Sequence, residues 1–131
     1  MKIVWAIAIG AAVGGVSRYY LTSAVQQRLG VAFPWGTLVI NVTGSLLLGF
    51  IIRYALAAPA MSVELRALLT TGCCGGYTTF STYSFETATL IEEGQYGRAG
   101  AYAFGSMFLA LVATFCGFLL ARELVAFRER I

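Results

Sequence analysis

Thr70-Thr71-Gly72-Cys73-Cys74-Gly75-Gly76-Tyr77-Thr78-Thr79-Phe80-Ser81-Thr82-Tyr83-Ser84-Phe85-Glu86 is the stretch that decides the reading of this chain. It lies inside an apolar segment running from about Leu65 to Ile91. Three glycines within five residues weaken a helix near its middle. Seven of the eight residues from Tyr77 to Ser84 carry a hydroxyl. In lipid, backbone released from helical bonding is tolerated only inside protein or beside water or an ion. Broken helices of transport proteins supply such sites: freed carbonyls coordinate cations, and half-helix N-termini face anions. A glycine-kinked helix whose Ser and Thr bond back to their own backbone is the other reading.

The rest of the chain supplies the lipid-facing context. Of 131 residues, 59% are hydrophobic and 11% charged, and mean hydropathy is +0.79. Soluble domains carry about 25% charge, so these few ionisable side chains cannot solvate a whole surface. Four stretches approach the roughly 20 apolar residues that cross a bilayer as helix: about 3–21, 37–56, 65–91 and 99–120. Polar or Pro/Gly punctuators separate them: Gln26 to Gly30 with Pro34, then Ala57 to Glu64 with Pro59, then Glu92 to Gln95. The expectation is an all-α membrane protein of four spans, the third broken, forming a single integral membrane domain over residues 1–131. The tail from Arg122 to Ile131 reads as a helix end at the interface. Lys2, the apolar run after it and Ala11-Ala12 resemble a signal peptide, but three further spans make the chain integral whatever happens at its start.

Charge excludes several classes. There are nine Lys+Arg, six Glu, no Asp and no His, for a net +3. This is too scattered for nucleic-acid binding, and most acid–base and metal chemistry loses its usual residues. An enzyme is not expected. Cys73, Cys74 and Cys116 form no CxxC and read as small apolar packing residues. No GxxxxGK[ST] loop is present. With four spans, the terminal side holds Lys2, Arg53, Arg66, Arg122, Arg128 and Arg130, and the other side Arg18, Arg28 and Arg98. That weak bias permits insertion in both orientations. Gly10/Gly14, Gly72/Gly76 and Ser106/Ala110 have the small-xxx-small spacing of close helix contacts.

The spans also carry polar side chains that lipid would not tolerate. Thr37, Asn41 and Ser45 share one stripe of the second span, with Gly44 beside it. A buried Asn must find partners, either another helix or a permeant species. Thr79, Thr82 and Glu86 share a face of the third span, with Phe80 and Tyr83 on an adjacent one. Glu86, as an intramembrane carboxylate, is a functional candidate or a structural group bonded to nearby hydroxyls. Tyr102 and Ser106 lie one turn apart on the fourth span. Together these form a track of hydroxyls and one amide, suited to an ion bound weakly at several places. Hydroxyl and amide donors and positive aromatic edges favour a small, strongly hydrogen-bonding anion. Arg18 offers a positive mouth or a headgroup contact.

These residues resemble the CrcB, or Fluc, family of small fluoride channels. The likeness rests on Gly10…Gly14-Gly15…Arg18, on Gly36-Thr37-Leu38…Asn41…Gly44, and on Thr71-Gly72…Gly75-Gly76-Tyr77-Thr78-Thr79-Phe80-Ser81-Thr82…Ser84…Glu86. It covers the whole chain in length, span count and motif order. The resemblance implies an antiparallel, dual-topology homodimer in the bacterial inner membrane, with two fluoride pores along the subunit interface. It implies a structural Na⁺ at the break, held by the backbone carbonyls of Gly75 and Thr78. The pore would use Asn41, the aromatic pair Phe80 and Tyr83, and Ser81. The hydroxyl track would comprise Thr79, Thr82, Tyr102 and Ser106, with Glu86 near one end and Arg18 at the mouth. Passive fluoride export would then protect the cell. Two positions depart from the pattern: Tyr83 replaces a common Phe, and Ala110 replaces a Ser found in some relatives. A small proton-coupled exporter of organic cations is the alternative, but it relies on a Glu in the first span, where this chain has none. A structural subunit of a larger complex is a further one.

Overall fold

A computed structural model describes residues 1–57 and 61–130. Pro59, read as a loop punctuator, and Ile131 lie outside the described residues. The chain is helical almost throughout, with no strand among the described residues. The helices are α1 (Lys2–Leu29), α2 (Trp35–Ala57), α3 (Val63–Ala67), α4 (Gly75–Tyr77), α5 (Phe80–Glu92) and α6 (Tyr96–Glu129), with a π-helical segment Leu68–Cys74 between α3 and α4.

Three helices, α1, α2 and α6, are long and apolar enough to cross a membrane. The 28 residues of α1 extend about 42 Å at 1.5 Å per residue, beyond the roughly 30 Å hydrocarbon layer. The sequence placed the end of this span at residue 21, but the helix continues to Leu29. Gln26 explains the difference. Its side-chain amide donates to the carbonyls of Gly30 (2.7 Å) and Phe33 (3.0 Å), and its Oε1 accepts the Gly36 N–H at 3.2 Å. A polar residue read as a loop signal is instead the helical anchor of the loop. Gly30, at φ 85°, ends the helix in a conformation that side chains avoid. The tail after Arg122 is a helix end, as the sequence suggested, continuing α6 as far as Glu129.

The segment from Val63 to Glu92 is divided, as the glycines suggested, but the break falls just after them. The π-helical segment carries Gly72, and α4 begins at Gly75. Helical geometry then stops at Thr78 (φ −84°, ψ 160°) and Thr79 (φ −151°, ψ 119°), both β-branched and at ease in extended backbone. Thr79 caps the N-terminus of α5, its side chain accepting the Thr82 N–H.

Packing runs through small residues in two parallel pairs. α1 lies on the divided segment, and α2 on α6. Gly10 and Gly14 face Gly72 and Gly76 almost backbone to backbone. A Cβ on Gly14 would strike the Cys73 carbonyl and come within 2.8 Å of the Tyr77 nitrogen, and one on Gly76 would lie 2.7 Å from the Ala11 carbonyl oxygen. Both GxxxG pairs therefore serve contacts within the subunit. A close backbone approach of α2 and α6 lies about one to three turns beyond Ser106 and Ala110. It lies at Thr114 and Gly117, where a Cβ on Gly49 would meet the Thr114 carbonyl at 2.6 Å and one on Gly117 the Phe50 nitrogen at 2.7 Å. Most large apolar side chains, among them Trp5, Val16, Phe104, Phe108 and Phe115, face outward. That inverted pattern is what lipid as solvent requires. Tyr102 and Ile40 are fully buried. Cys73, Cys74 and Cys116 are free thiols.

Adjacent glycines on α1 should respond oppositely to alanine. Gly14→Ala forces backbone apart and should cost about 1–3 kcal/mol. Gly15 has nothing within 4 Å of an added Cβ, so Gly15→Ala should be neutral or stabilising. Thermal unfolding in detergent reads both; equal midpoints would contradict the packing.

Candidate functional site

The break needs partners for the backbone groups it frees, and α2 supplies them. Asn41 Nδ2 donates to the Thr79 carbonyl at 3.0 Å, and Asn41 Oδ1 accepts the Thr79 N–H at 2.8 Å. One side chain thus satisfies both polar groups of Thr79. Arg18 Nη1 donates to the Thr78 carbonyl at 3.4 Å. The Thr78 N–H and hydroxyl both donate to the Cys74 carbonyl at 3.0 Å. The Thr79 hydroxyl donates to Thr82 Oγ1 at 3.0 Å and lies 3.2 Å from Ser81 Oγ. Back-bonding hydroxyls and a break served by other helices coexist in this stretch. Ser84, Thr87 and Thr89 bond back to their own helix, while the backbone around Thr79 is served from other helices.

Two cavities flank Thr79, which lines both. The larger, about 360 Å³, is bounded by Asn41, Thr79, Phe80, Tyr83 and Ser106, with Ala110 and Thr114 further along. No charged side chain lines it. The Phe80 and Tyr83 rings lie 5.5 Å apart at 36°. The Tyr83 hydroxyl donates to the Ala103 carbonyl at 3.0 Å, so the donor that sets this residue apart from Phe is already committed. Ser106, which lines this cavity, has a buried Oγ without a hydrogen-bond partner, an unsatisfied polar group of the kind that calls for an explanation. The smaller cavity, about 240 Å³, is lined by Arg18, Thr22, Ser23, Thr37, Thr79 and Thr82. Thr22 Oγ is likewise without a partner.

Glu86 is held apart from the larger cavity. Thr37 Oγ donates to its Oε1 at 2.9 Å and the Tyr102 hydroxyl to its Oε2 at 2.6 Å. The second lies at the short end of the range for hydroxyl donors. Each carboxylate oxygen thus carries a hydroxyl, and both hydroxyl protons are used. The Tyr102 and Tyr83 rings lie 5.4 Å apart, which joins this cluster to the aromatic pair.

The structure therefore brings Asn41, Thr79, Phe80, Tyr83 and Ser106 to one cavity, and Arg18 and Thr82 to its neighbour. Ser81 touches the hydroxyl cluster. Tyr102 is sealed from solvent and serves Glu86. Gly75 lies on the surface at the break. The Thr79 N–H, which a continuous helix would give to the Gly75 carbonyl, goes to Asn41 instead. Among the described residues no cluster of His, Cys, Asp or Glu could hold a metal, so a cation here would need carbonyl oxygen. The Gly75 carbonyl fits that need. The Thr78 carbonyl keeps a second lone pair beside the one facing Arg18. Sequence reasoning missed Thr37 as a partner of Glu86 and Thr114 as a lining residue. Thr114 was findable, because Tyr102, Ser106, Ala110 and Thr114 recur every fourth residue along one stripe.

Residues 5–118 match the family described as CrcB-like protein, Camphor Resistance (CrcB). The chain belongs to the CrcB family. It is 48% identical over 124 residues to a Geobacter sulfurreducens protein named fluoride-specific ion channel FluC, covering 95% of this chain and all of the relative. Proteins of the same name from Aquifex aeolicus and Thermus thermophilus are 41% and 46% identical, covering 95% and 91% of this chain and 100% and 94% of the relatives. The CrcB relatives named here are thus ion channels, not enzymes, and the chain is a multi-pass membrane protein like them.

Tyr102→Phe removes a donor from a carboxylate inside the bundle. It should lower stability by about 1.5–3 kcal/mol, read as a fall in the thermal midpoint in detergent. An unchanged midpoint would mean that the Glu86 cluster does not support the fold.

Proposed function

We propose that this protein is a fluoride-selective channel that lets cytoplasmic fluoride leave by passive electrodiffusion. The observation that carries the reading is the cavity beside Thr79, which holds hydrogen-bond donors and aromatic rings but no fixed charge. Fluoride is small and accepts hydrogen bonds strongly. An unpartnered Ser106 hydroxyl and the positive edges of Phe80 and Tyr83 can replace part of its hydration without trapping it. Conduction needs that balance of entry and release. Arg18, in the adjacent cavity, raises the local anion concentration. The names of the relatives point to the same ion.

Physiology follows from acid–base chemistry. Hydrogen fluoride crosses membranes as a neutral acid and dissociates inside, where the ion is trapped. An inside-negative potential then drives fluoride out through a selective pore. A small proton-coupled exporter relies on a Glu in its first span, and α1 carries no acidic residue.

The working unit we propose is an antiparallel homodimer. Phe80 is 79% exposed although its ring lines the cavity, so one subunit leaves that wall uncovered. A partner subunit would close it. The carbonyls of Gly75 and Thr78, with those of the partner, would hold a Na⁺ whose charge would draw together backbone dipoles freed by the break.

The test is fluoride efflux from liposomes containing only this protein, read by a fluoride electrode, with a K⁺ ionophore carrying counter-current. Wild-type protein should release fluoride and retain chloride. Ser106→Ala should slow fluoride about tenfold, the worth of one hydrogen bond to an ion. Phe80→Ile, which lacks the ring edge, should cripple flux. Tyr83→Phe should be tolerated, because its hydroxyl serves Ala103. Fluoride retention by wild-type vesicles, or equal chloride loss, would refute the proposal.

A further inference from the structure

A second cavity of about 360 Å³ lies far from the break, where the end of α2 meets the last turns of α6. Leu56, Ala121 and Val125 give it an apolar wall, and Arg53, Arg122 and Glu129 line it as well. The guanidiniums that find hydrogen-bond partners are those of Arg18, Arg98 and Arg128. Arg53 and Arg122 make neither a hydrogen bond nor an ion pair among the described residues, although Glu129 shares their cavity. Arg128, beside it on α6, is committed to the Tyr54 hydroxyl at 3.0 Å.

Depth identifies the surroundings. Residues 29–52 and 99–121 carry no charge, and Arg53 and Arg122 are the first charged residues after those runs. Because α2 and α6 run parallel, both first charges arrive at the same level, where hydrocarbon gives way to headgroups. Two planar guanidiniums at that level match the oxygens of a phosphate. The apolar wall continues toward the bilayer centre along outward-facing side chains such as Leu119 and Ile52.

We propose that this cavity binds an anionic phospholipid, its phosphate between Arg53 and Arg122 and its acyl chains along the apolar wall. A free phosphate ion would share the guanidiniums but would gain nothing from Leu56 and Val125. Basic pockets between transmembrane helices are a recurrent form of lipid recognition. The proposal does not depend on the fluoride reading.

Native mass spectrometry of the full chain, exchanged into mixed phosphatidylglycerol and phosphatidylcholine, tests it. Wild-type protein should retain phosphatidylglycerol in preference. The double variant Arg53→Gln/Arg122→Gln should lose about thirtyfold of that preference, given the usual contribution of two basic side chains at an anionic surface. Arg53→Lys/Arg122→Lys should keep most of it, and Arg130→Gln, outside the cavity, should change it little. Excess inorganic phosphate should not displace the lipid. The wild-type comparison needs no variant: equal retention of both lipids overturns the proposal. So does an equal loss in Arg130→Gln, which would indicate a diffuse surface potential, or displacement by inorganic phosphate, which would assign the cavity to a free ion.

Discussion

The two-point hydrogen bonding of Asn41 to Thr79 is the constraint on which the rest of this structure depends. A helix broken inside a membrane exposes N–H and C=O groups that lipid cannot satisfy. Asn is suited to the task because its side chain presents a donor and an acceptor in the geometry of a peptide group. By meeting both groups of Thr79, it lets the chain turn out of α4 and start α5 afresh. The restart aims Phe80 and Tyr83 at one cavity and leaves the Thr79 hydroxyl among Ser81 and Thr82. The Gly75 carbonyl is freed by the same exchange.

Close helix packing makes that arrangement rigid enough to matter. Gly10 and Gly14 let α1 approach the divided segment until backbone meets backbone, which also carries Arg18 to the Thr78 carbonyl. Gly49 and Gly117 do the same for α2 and α6, which places Ser106 opposite Asn41 across the cavity. Glu86 ties the three elements together through Thr37 on α2 and Tyr102 on α6. Its position on α5, with the Tyr102 ring 5.4 Å from that of Tyr83, makes it a brace for the aromatic pair.

Much of this was legible in the sequence, and the limits have physical causes. Apolar runs of membrane length marked the three long helices α1, α2 and α6, because lipid imposes that pattern directly. The glycines of the third span marked a break, but its position at Thr78 and Thr79 depends on Asn41, which is 38 residues away. Helix ends were misjudged where a polar residue was taken for loop, as at Gln26, whose partners lie across the turn. Spacing found the contact glycines of α1 but could not separate them from Ser106 and Ala110, which face a cavity. The Glu86 cluster draws on three helices, so no local pattern announces it. Of the stripe on α6, both Ser106 and Thr114 line the cavity, and the sequence reading names only Ser106.

Replacing Asn41 by Asp tests the central claim most directly, because it changes one donor group and almost no volume. At neutral pH the carboxylate can still accept the Thr79 N–H but cannot donate to the Thr79 carbonyl, and it brings a negative charge beside the cavity. Fluoride efflux from liposomes should fall at least about tenfold, from the unpaired carbonyl alone, while the protein still purifies as a folded helical membrane protein. Wild-type fluoride efflux through Asn41→Asp would show that neither the bonding of Thr79 nor the uncharged character of the cavity governs conduction, and would contradict the account.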